Sequence, residues 1–187
     1  AWLADYLCRH PILLDALLSA QLMQPIDWQA LAGELESSLH ACGSDMEAKM
    51  DILRQCQHAQ IFRLTVQDLA GQWTVEALSD ELSRLADLIL EQTLIHAWQS
   101  VPKRHLDAPK FAIIAYGKLG GKELGYASDL DLVFLYEDDA PDAADKYVKL
   151  SRRLSTWLSG STGAGCLYDI DLRLRPNGEE GFLAHSL

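Results

Sequence analysis

Apolar positions over the first hundred residues recur at the spacing of α-helices. Pro11 suits a first helical turn, and apolar residues follow it at positions 12, 13, 16 and 17. Asp27 can cap a helix that ends at Gly43, because aspartate suits the start of a helix and glycine its end. The pattern predicts short helices that pack through apolar faces at the start of the chain.

Two longer helices are predicted to follow. Residues 44–47 have the spacing of a capping box, so a helix is expected from there to about Ala70. A further apolar stripe predicts a helix that ends near Gln99. The residues of that stripe are Leu78, Leu82, Leu85, Ile89 and Ile95. We interpret the stripe as core packing.

The apolar pattern changes at Lys110. Residues 111–116 are a continuous apolar run, as in a buried strand, and residues 130–136 predict a second strand. Asp142 can cap a helix that continues to about Leu158, and residues 167–174 predict a third strand. This order of elements predicts an α+β chain with a helical region over residues 1–101 and an α/β unit with a small mixed sheet over residues 110–187. The segment between Pro102 and Pro109 is the expected linker.

Composition and charge narrow the function classes. Apolar residues make up 49% of the chain and no run of eighteen is present, so we expect a packed core and no membrane span. The net charge is −11, and residues 1–100 alone carry 14 acidic and 5 basic side chains. A protein that grips a nucleic-acid backbone usually presents a basic stripe, so DNA and RNA are disfavoured as partners. The four cysteines fit no zinc or disulfide spacing, and we expect a cytoplasmic protein with reduced thiols.

A glycine-rich turn follows the first predicted strand. Its sequence is Gly117-Lys118-Leu119-Gly120-Gly121. Glycine allows backbone N–H groups to approach a phosphate closely, although the segment lacks the spacing of a Walker loop. A tight turn without any ligand would use the same glycines.

Two carboxylates stand where the second strand begins. Asp129 and Asp131 are two residues apart, so in a strand they share a face. Close carboxylates repel each other unless a cation lies between them, and Mg²⁺ prefers such oxygen ligands. A solvated strand end is the alternative, but the apolar run at residues 132–135 makes two unpartnered acids costly there.

The third predicted strand alternates between apolar and charged positions. One face carries Asp169, Asp171, Arg173 and Arg175, and the other carries apolar side chains. An aspartate on the charged face can complete a cage of three carboxylates, and an arginine can bind phosphate oxygens. A half-buried strand with ion pairs on its wet face gives the same alternation.

These three motifs together resemble the polymerase-β-like nucleotidyltransferases. Within that superfamily, residues 117–132 and 168–178 resemble glutamine synthetase adenylyltransferase, and the helical stretch before Lys110 is similar to that family as well. The wider superfamily usually has Gly-Ser in the turn where this chain has Gly120-Gly121. Gly125-Tyr126 and Tyr168 resemble the adenylylating, C-terminal half of that enzyme. Because the chain has no initiator Met, we expect an excised fragment, and the resemblance implies a catalytic core that is truncated at its C-terminus.

The resemblance implies a reaction and a set of roles. ATP would donate AMP to a tyrosine hydroxyl of glutamine synthetase, with two Mg²⁺ ions as cofactors and a PII signalling protein as regulator. Asp129 and Asp131 would bind both metal ions, and Asp171, rather than Asp169, would be the third ligand. The remaining implied contacts are with phosphate: Gly120 and Gly121 through backbone N–H groups, with Lys118, Ser128, Arg173 and Arg175 as supporting candidates.

Three alternatives stay open at this point. The chain can be the half that removes AMP by phosphorolysis. It can also be a nucleotidyltransferase for a small molecule, which the long helical region argues against. The third alternative is a nucleotide-binding module with a dead site, which the presence of all three acids argues against.

Overall fold

The computed structural model describes residues 7–8, 21–174 and 183–186. The helix expected after Pro11 and the phosphate contact expected of Arg175 lie outside the described residues. Within the described part of the chain, no helix is both long and apolar enough to span a membrane.

Three helices fill the first half of the described chain: α1 (Trp28–Ala41), α2 (Met46–Leu69) and α3 (Val75–Gln99). Asp27 caps α1 as predicted, because its carboxylate accepts a hydrogen bond of 3.0 Å from the N–H of Ala30. Gly43 has φ +56° just after this helix, a conformation that glycine adopts without strain. The capping box was predicted one residue too early, since Asp45 rather than Ser44 is the N-cap of α2.

Both long helices bury polar as well as apolar side chains. The stripe on α3 is confirmed at Leu82, Leu85 and Ile89, which are at most 4% exposed, but Ile95 is 39% exposed and lies outside the core. α2 buries several polar side chains that periodicity did not predict. These are Lys49, Arg54, Gln57, Thr65 and Gln67.

A small mixed sheet with one covering helix forms the second half. Its elements are β1 (Phe111–Ala115), the one-turn helix α4 (Gly117–Gly120), β2 (Leu130–Tyr136), α5 (Ala143–Ser159), β3 (Ile170–Asp171) and β4 (Ala184–Ser186). β2 is central: it pairs antiparallel with β1 and parallel with both β3 and β4. The expected α+β organisation with a small mixed sheet is therefore present.

Aromatic stacking joins the helices to one face of the sheet. Tyr147 of α5 stacks on Tyr136 of β2, with ring centroids 4.7 Å apart, and on Trp98 of α3 at 5.5 Å. Phe134 and Leu132 of β2 point to the same side and are fully buried. The core thus lies between the sheet and the helices, and the opposite face of β2 carries Asp131.

Three expectations about the second half were wrong in detail. Residues 111–116 were expected to be buried, but alternate residues of β1 are exposed because the helices cover one face of the sheet and the other face meets solvent. The third strand was expected over residues 167–174, but β3 has two residues. The N–H groups of Leu167 and Tyr168 donate instead to the carbonyl of Leu158 at the end of α5. Asp142 does begin α5, but its carboxylate binds the Lys146 ammonium at 2.8 Å rather than the helix N–H groups.

Candidate active site

The pairing of β2 with β3 brings two of the predicted acids together. Asp131 and Asp171 are directly opposite each other in the parallel ladder, so their side chains leave the sheet on the same face. Neighbouring strands lie about 4.8 Å apart, which places two carboxylates within reach of one cation. Asp129 lies just before β2 and is exposed, two residues from Asp131 along the same extended segment.

Asp169 stands apart from this pair. Its carbonyl oxygen accepts a 2.9 Å hydrogen bond from the N–H of Leu130, and its side chain is exposed before β3 begins. The register places Asp171, and not Asp169, opposite Asp131.

Gly117 packs directly against the Asp131 carboxylate. A Cβ at this position would lie 2.0 Å from Oδ2 of Asp131, and the residue has φ +53°. Any side chain there would displace the carboxylate, and the backbone conformation also favours glycine. Sequence reasoning placed Gly117 in the turn but gave it no role; its position immediately after β1 and Tyr116 was the available signal.

The two glycines predicted to bind phosphate already have backbone partners. The N–H of Gly120 donates to the carbonyl of Tyr116 at 3.0 Å, and that of Gly121 donates to the carbonyl of Gly117 at 2.9 Å. A Cβ on Gly120 would lie 2.5 Å from the carbonyl oxygen of Ala115, so this glycine is required by close packing. The predicted turn is thus a single helical turn, and its Lys118 is exposed.

Ser128 supports the backbone before β2. Its hydroxyl accepts a hydrogen bond of 3.0 Å from the N–H of Gly125, which closes the turn that leads to Asp129. In this arrangement the Ser128 side chain shapes the segment that carries the acid.

Arg173 binds the Asp171 carboxylate. Its Nε lies 2.8 Å from Oδ2, its Nη2 also contacts Oδ2, and its backbone N–H donates to Oδ1 at 2.8 Å. Hydrogen bonds from the Arg173 side chain, and then from its N–H, lower the pKa of Asp171 to about 2. The carboxylate is therefore ionised at neutral pH and is balanced by the guanidinium.

The carboxylate oxygens of the candidate site suit a hard divalent cation, although their present arrangement does not surround one. In the residues that the structure describes, no three His, Cys, Asp or Glu side chains are close enough to hold a metal ion. Asp131 and Asp171 share a face and a register position, and carboxylate oxygens are the ligands that Mg²⁺ prefers. The pair fits such an ion if Arg173 leaves Asp171 and Asp129 turns toward it.

Helix α2 holds the loop that leads to β3. The Arg54 guanidinium is fully buried and donates to the carbonyls of Trp157 and Gly160, and the Gln57 amide donates to the carbonyl of Leu167 at 2.8 Å. Periodicity gave no signal for these contacts, because polar residues on a helix are normally assigned to solvent.

The same helix contacts both acid-bearing segments through further side chains. The Thr162 hydroxyl donates to the Asp51 carboxylate in the loop before β3. Tyr126 precedes Asp129 by three residues, and its hydroxyl donates to the Asp68 carboxylate of α2 at 3.2 Å. Burial raises the pKa of this tyrosine above its usual range. α2 therefore fixes the segments from which the carboxylates project.

Comparison with known proteins gives a consistent result along the entire chain. Residues 1–187 match the family model described as glutamate-ammonia ligase adenylyltransferase. A bifunctional glutamine synthetase adenylyltransferase/adenylyl-removing enzyme of Neisseria meningitidis serogroup B is 65% identical over 188 residues, which cover all of this chain and 21% of the relative. Proteins with the same description from Chromobacterium violaceum and Nitrosomonas europaea are 62% and 56% identical and are covered to the same extent. The chain thus spans about one fifth of the length of the curated relatives that it matches.

Proposed function

The chain belongs to the glutamate-ammonia ligase adenylyltransferase family, and we propose that it carries a site that transfers AMP from ATP to a tyrosine hydroxyl of glutamine synthetase. One observation carries this proposal: Asp131 and Asp171 meet across neighbouring parallel strands, with Gly117 packed against the first carboxylate. A glycine turn beside two acids on one sheet face suits a reaction at phosphorus, in which positioning and charge stabilisation supply most of the catalysis.

The proposal includes the architecture around these acids. Residues 110–187 would form a polymerase-β-like nucleotidyltransferase core, and residues 1–101 a helical region that supports it. The hydrogen bonds from α2 to the loops before β2 and β3 favour this arrangement, since they join the helices to the segments that carry the acids.

Asp129, Asp131 and Asp171 would hold Mg²⁺. When bound, a pair of such ions stabilises the attacking and the leaving oxygen of an in-line displacement at phosphorus. The acceptor tyrosine has an ordinary pKa of about 10, so its hydroxyl must lose a proton as it attacks. Asp171 would help take this proton only after Arg173 leaves, because a carboxyl with a pKa of about 2 is a weak base.

The positive side chains near the acids would bind the phosphates of ATP. Arg173, once released from Asp171, and the exposed Lys118 lie on segments next to the two carboxylates, and Arg175 would act with them. A contact through the N–H groups of Gly120 and Gly121 requires α4 to open, because both groups donate within that turn. Ser128 would act by holding the backbone before Asp129.

The proposed partners follow from the family. Glutamine synthetase would be the protein substrate, as the names of the relatives state for those proteins. Regulation by a PII signalling protein belongs to the same proposal. A cytoplasmic location is proposed because Cys8, Cys42, Cys56 and Cys166 are all free thiols.

The test measures AMP transfer in the full-length protein that contains this chain. Label from α-labelled ATP should enter glutamine synthetase with the wild-type protein and not with Asp131→Asn. Asp139→Asn is the matched control, because Asp139 is an exposed aspartate in the loop after β2. Retained transfer in Asp131→Asn, or equal loss in both variants, would refute the proposal.

A second candidate is the removal of AMP, because the relatives are described as both transferring and removing adenylyl groups. The same acids would then serve the attack of phosphate on adenylylated glutamine synthetase. ADP release from that substrate, lost in Asp131→Asn while transfer is retained, would assign this chain to the removing activity.

A further inference from the structure

A cleft of about 540 Å³ opens at the end of the sheet where β2 and β3 begin. Three segments line it: one face of α2 with Gln57, His58 and Ile61, residues 126–128 before β2, and residues 162–169 before β3. Its volume lies within the range of about 300–1,000 Å³ that is typical of small-molecule sites. Of the residues proposed above to bind metal or phosphate, Ser128 alone lines this cleft.

The cleft adjoins the acids through the backbone of both strands. Ser128 in its wall directly precedes Asp129, and Asp169 is two residues before Asp171. Three residues of extended chain span about 10 Å, so a ligand in the cleft lies about one sugar and one phosphate away from Asp131. A nucleotide seated there would direct its phosphates toward the carboxylates.

The lining suits a flat, uncharged ring better than a phosphate. Tyr126 is half-buried and supplies aromatic surface, the edges of the buried Tyr168 and Ile61 adjoin it, and the small residues 163–165 leave room beside them. Among the described residues that line the cleft, none is Lys or Arg, and Asp169 is the one carboxylate. A triphosphate would find no cation there, whereas a base can stack on a tyrosine ring and bind polar groups at its edge.

We infer that this cleft binds the purine nucleoside of the donor nucleotide, with the phosphates extending toward Asp131, Asp171 and Arg173. This inference rests on the proposed function and adds the place and orientation of the donor. It also gives the loop over residues 162–167 a second role. Its contacts with α2, from Thr162 to Asp51 and from Gln57 to the carbonyl of Leu167, fix the wall of the base site as well as the approach to β3.

The chain offers a matched pair of substitutions for a test. A Cβ at Gly163 would meet no atom within 4 Å, and neither would a Cβ at Gly33 on the exposed side of α1. Gly163→Leu therefore places a large side chain at the cleft without a clash at its root, and Gly33→Leu makes the same change far from it.

The first measurement uses 8-azido-ATP, which crosslinks through the purine, on the full-length protein, followed by peptide mapping. We expect the label in peptides that contain residues 57–61, 126–128 or 162–169. We expect it to be lost in Gly163→Leu and kept in Gly33→Leu. Label elsewhere in this chain, or label retained in Gly163→Leu, would overturn the base site while leaving AMP transfer intact. No label in this chain at all would overturn both.

The second measurement separates the base from the phosphates by kinetics. Loss of one base contact corresponds to roughly a tenfold change in affinity, so Gly163→Leu should raise the KM for ATP by about that factor. Inhibition by pyrophosphate, which lacks a base, should be unchanged. Parallel weakening of ATP and pyrophosphate would show that the substitution disturbs the phosphates instead, and would contradict the inference.

Discussion

The two long helices, α2 and α3, are nearly equal in length but stabilise the molecule in different ways. α3 buries an apolar stripe that includes Leu85 and Ile89, both fully buried. α2 also buries apolar side chains such as Leu53, but its buried Arg54 and Gln57 donate hydrogen bonds to loop carbonyls. α2 is thus a core element that also positions the loops of the α/β unit.

Under the proposed function, this difference predicts that the helical region contributes to the transfer site as well as to stability. Damage to α3 should lower the free energy of unfolding, whereas damage to the polar face of α2 should lower the transfer rate in molecules that remain folded. The four predictions that follow separate these outcomes, in decreasing order of expected effect.

Leu85→Ala should have the largest effect, and it should act on stability. Removing a fully buried leucine side chain costs about 2–5 kcal/mol of unfolding free energy, since a cavity remains. Ile95→Ala on the same helix should cost much less because Ile95 is 39% exposed. Urea unfolding of the full-length variants measures both. A transfer rate per folded molecule that falls sharply in Leu85→Ala would contradict the division between the two helices.

Gly117→Ala should act on the site. The added methyl group would collide with the Asp131 carboxylate, and a misplaced catalytic group can cost on the order of a hundredfold in rate. Gly33→Ala is the control: it lies in the middle of α1 with free space around it, and should raise stability by up to about 1 kcal/mol. Rates of AMP transfer and melting temperatures test the pair. Near wild-type transfer by Gly117→Ala would remove Gly117 from the site.

Arg54→Met should lower the transfer rate by about tenfold with little change in stability. The carbonyls of Trp157 and Gly160 lose the donor that holds them, and the cost of leaving them unpaired is offset in part because the charge of Arg54 no longer has to be buried. Arg54→Lys should restore part of the rate. A matching loss of rate and stability in Arg54→Met, with no rescue by lysine, would make Arg54 a purely structural residue.

Acidification should have the smallest effect, and it should lower the free energy of unfolding through the helical region. Burial, and then the charges of Lys49 and His40, lower the pKa of His96 in the helical region, although Glu36 opposes this shift. The unfolded chain then binds more protons than the folded one below pH 6.5, so stability falls as the pH drops through that value. Urea midpoints at pH 8 and pH 5 should differ less in His96→Gln than in the wild type.

In the α/β unit, Asp138 makes stability depend on pH in a more acidic range. Hydrogen bonds from the Ala140 N–H, and also from Tyr147 and His105, lower the pKa of Asp138 to about 2. The stability that Asp138 contributes is complete above its ordinary pKa of 3.8 and is lost as the pH falls toward 2. An equal pH dependence in wild type and His96→Gln between pH 8 and pH 5 would show that His96 is not responsible.

The sequence predicted the elements well where one local rule decides them. Capping predicted Asp27 as the residue that begins α1, and the patterns of apolar residues predicted the end of α2 near Ala70 and the bounds of β2. All three are confirmed. The third strand was overpredicted, because alternation between apolar and charged residues does not reveal that Leu167 and Tyr168 bond to the end of α5. Strand pairing depends on distant partners, and a local pattern contains no information about them.

Prediction of the candidate site from sequence is limited in the same way, because local patterns do not reveal tertiary contacts. The face shared by Asp129 and Asp131 is a local property, whereas the choice between Asp169 and Asp171 depends on the register of β3 against β2. The contact of Gly117 with Asp131 and the buried polar face of α2 are also tertiary features. Sequence reasoning therefore named the acids but not the residues that position them.

The central claim is that the Asp131–Asp171 pair is the transfer site, and one comparison tests it most directly. Asp169→Asn and Asp171→Asn change neighbouring aspartates that alternation places on the same strand face, in the same full-length protein. Transfer of labelled AMP to glutamine synthetase should be abolished in Asp171→Asn and should remain within a few-fold of wild type in Asp169→Asn. Equal loss in both variants, or a greater loss in Asp169→Asn, would contradict the account.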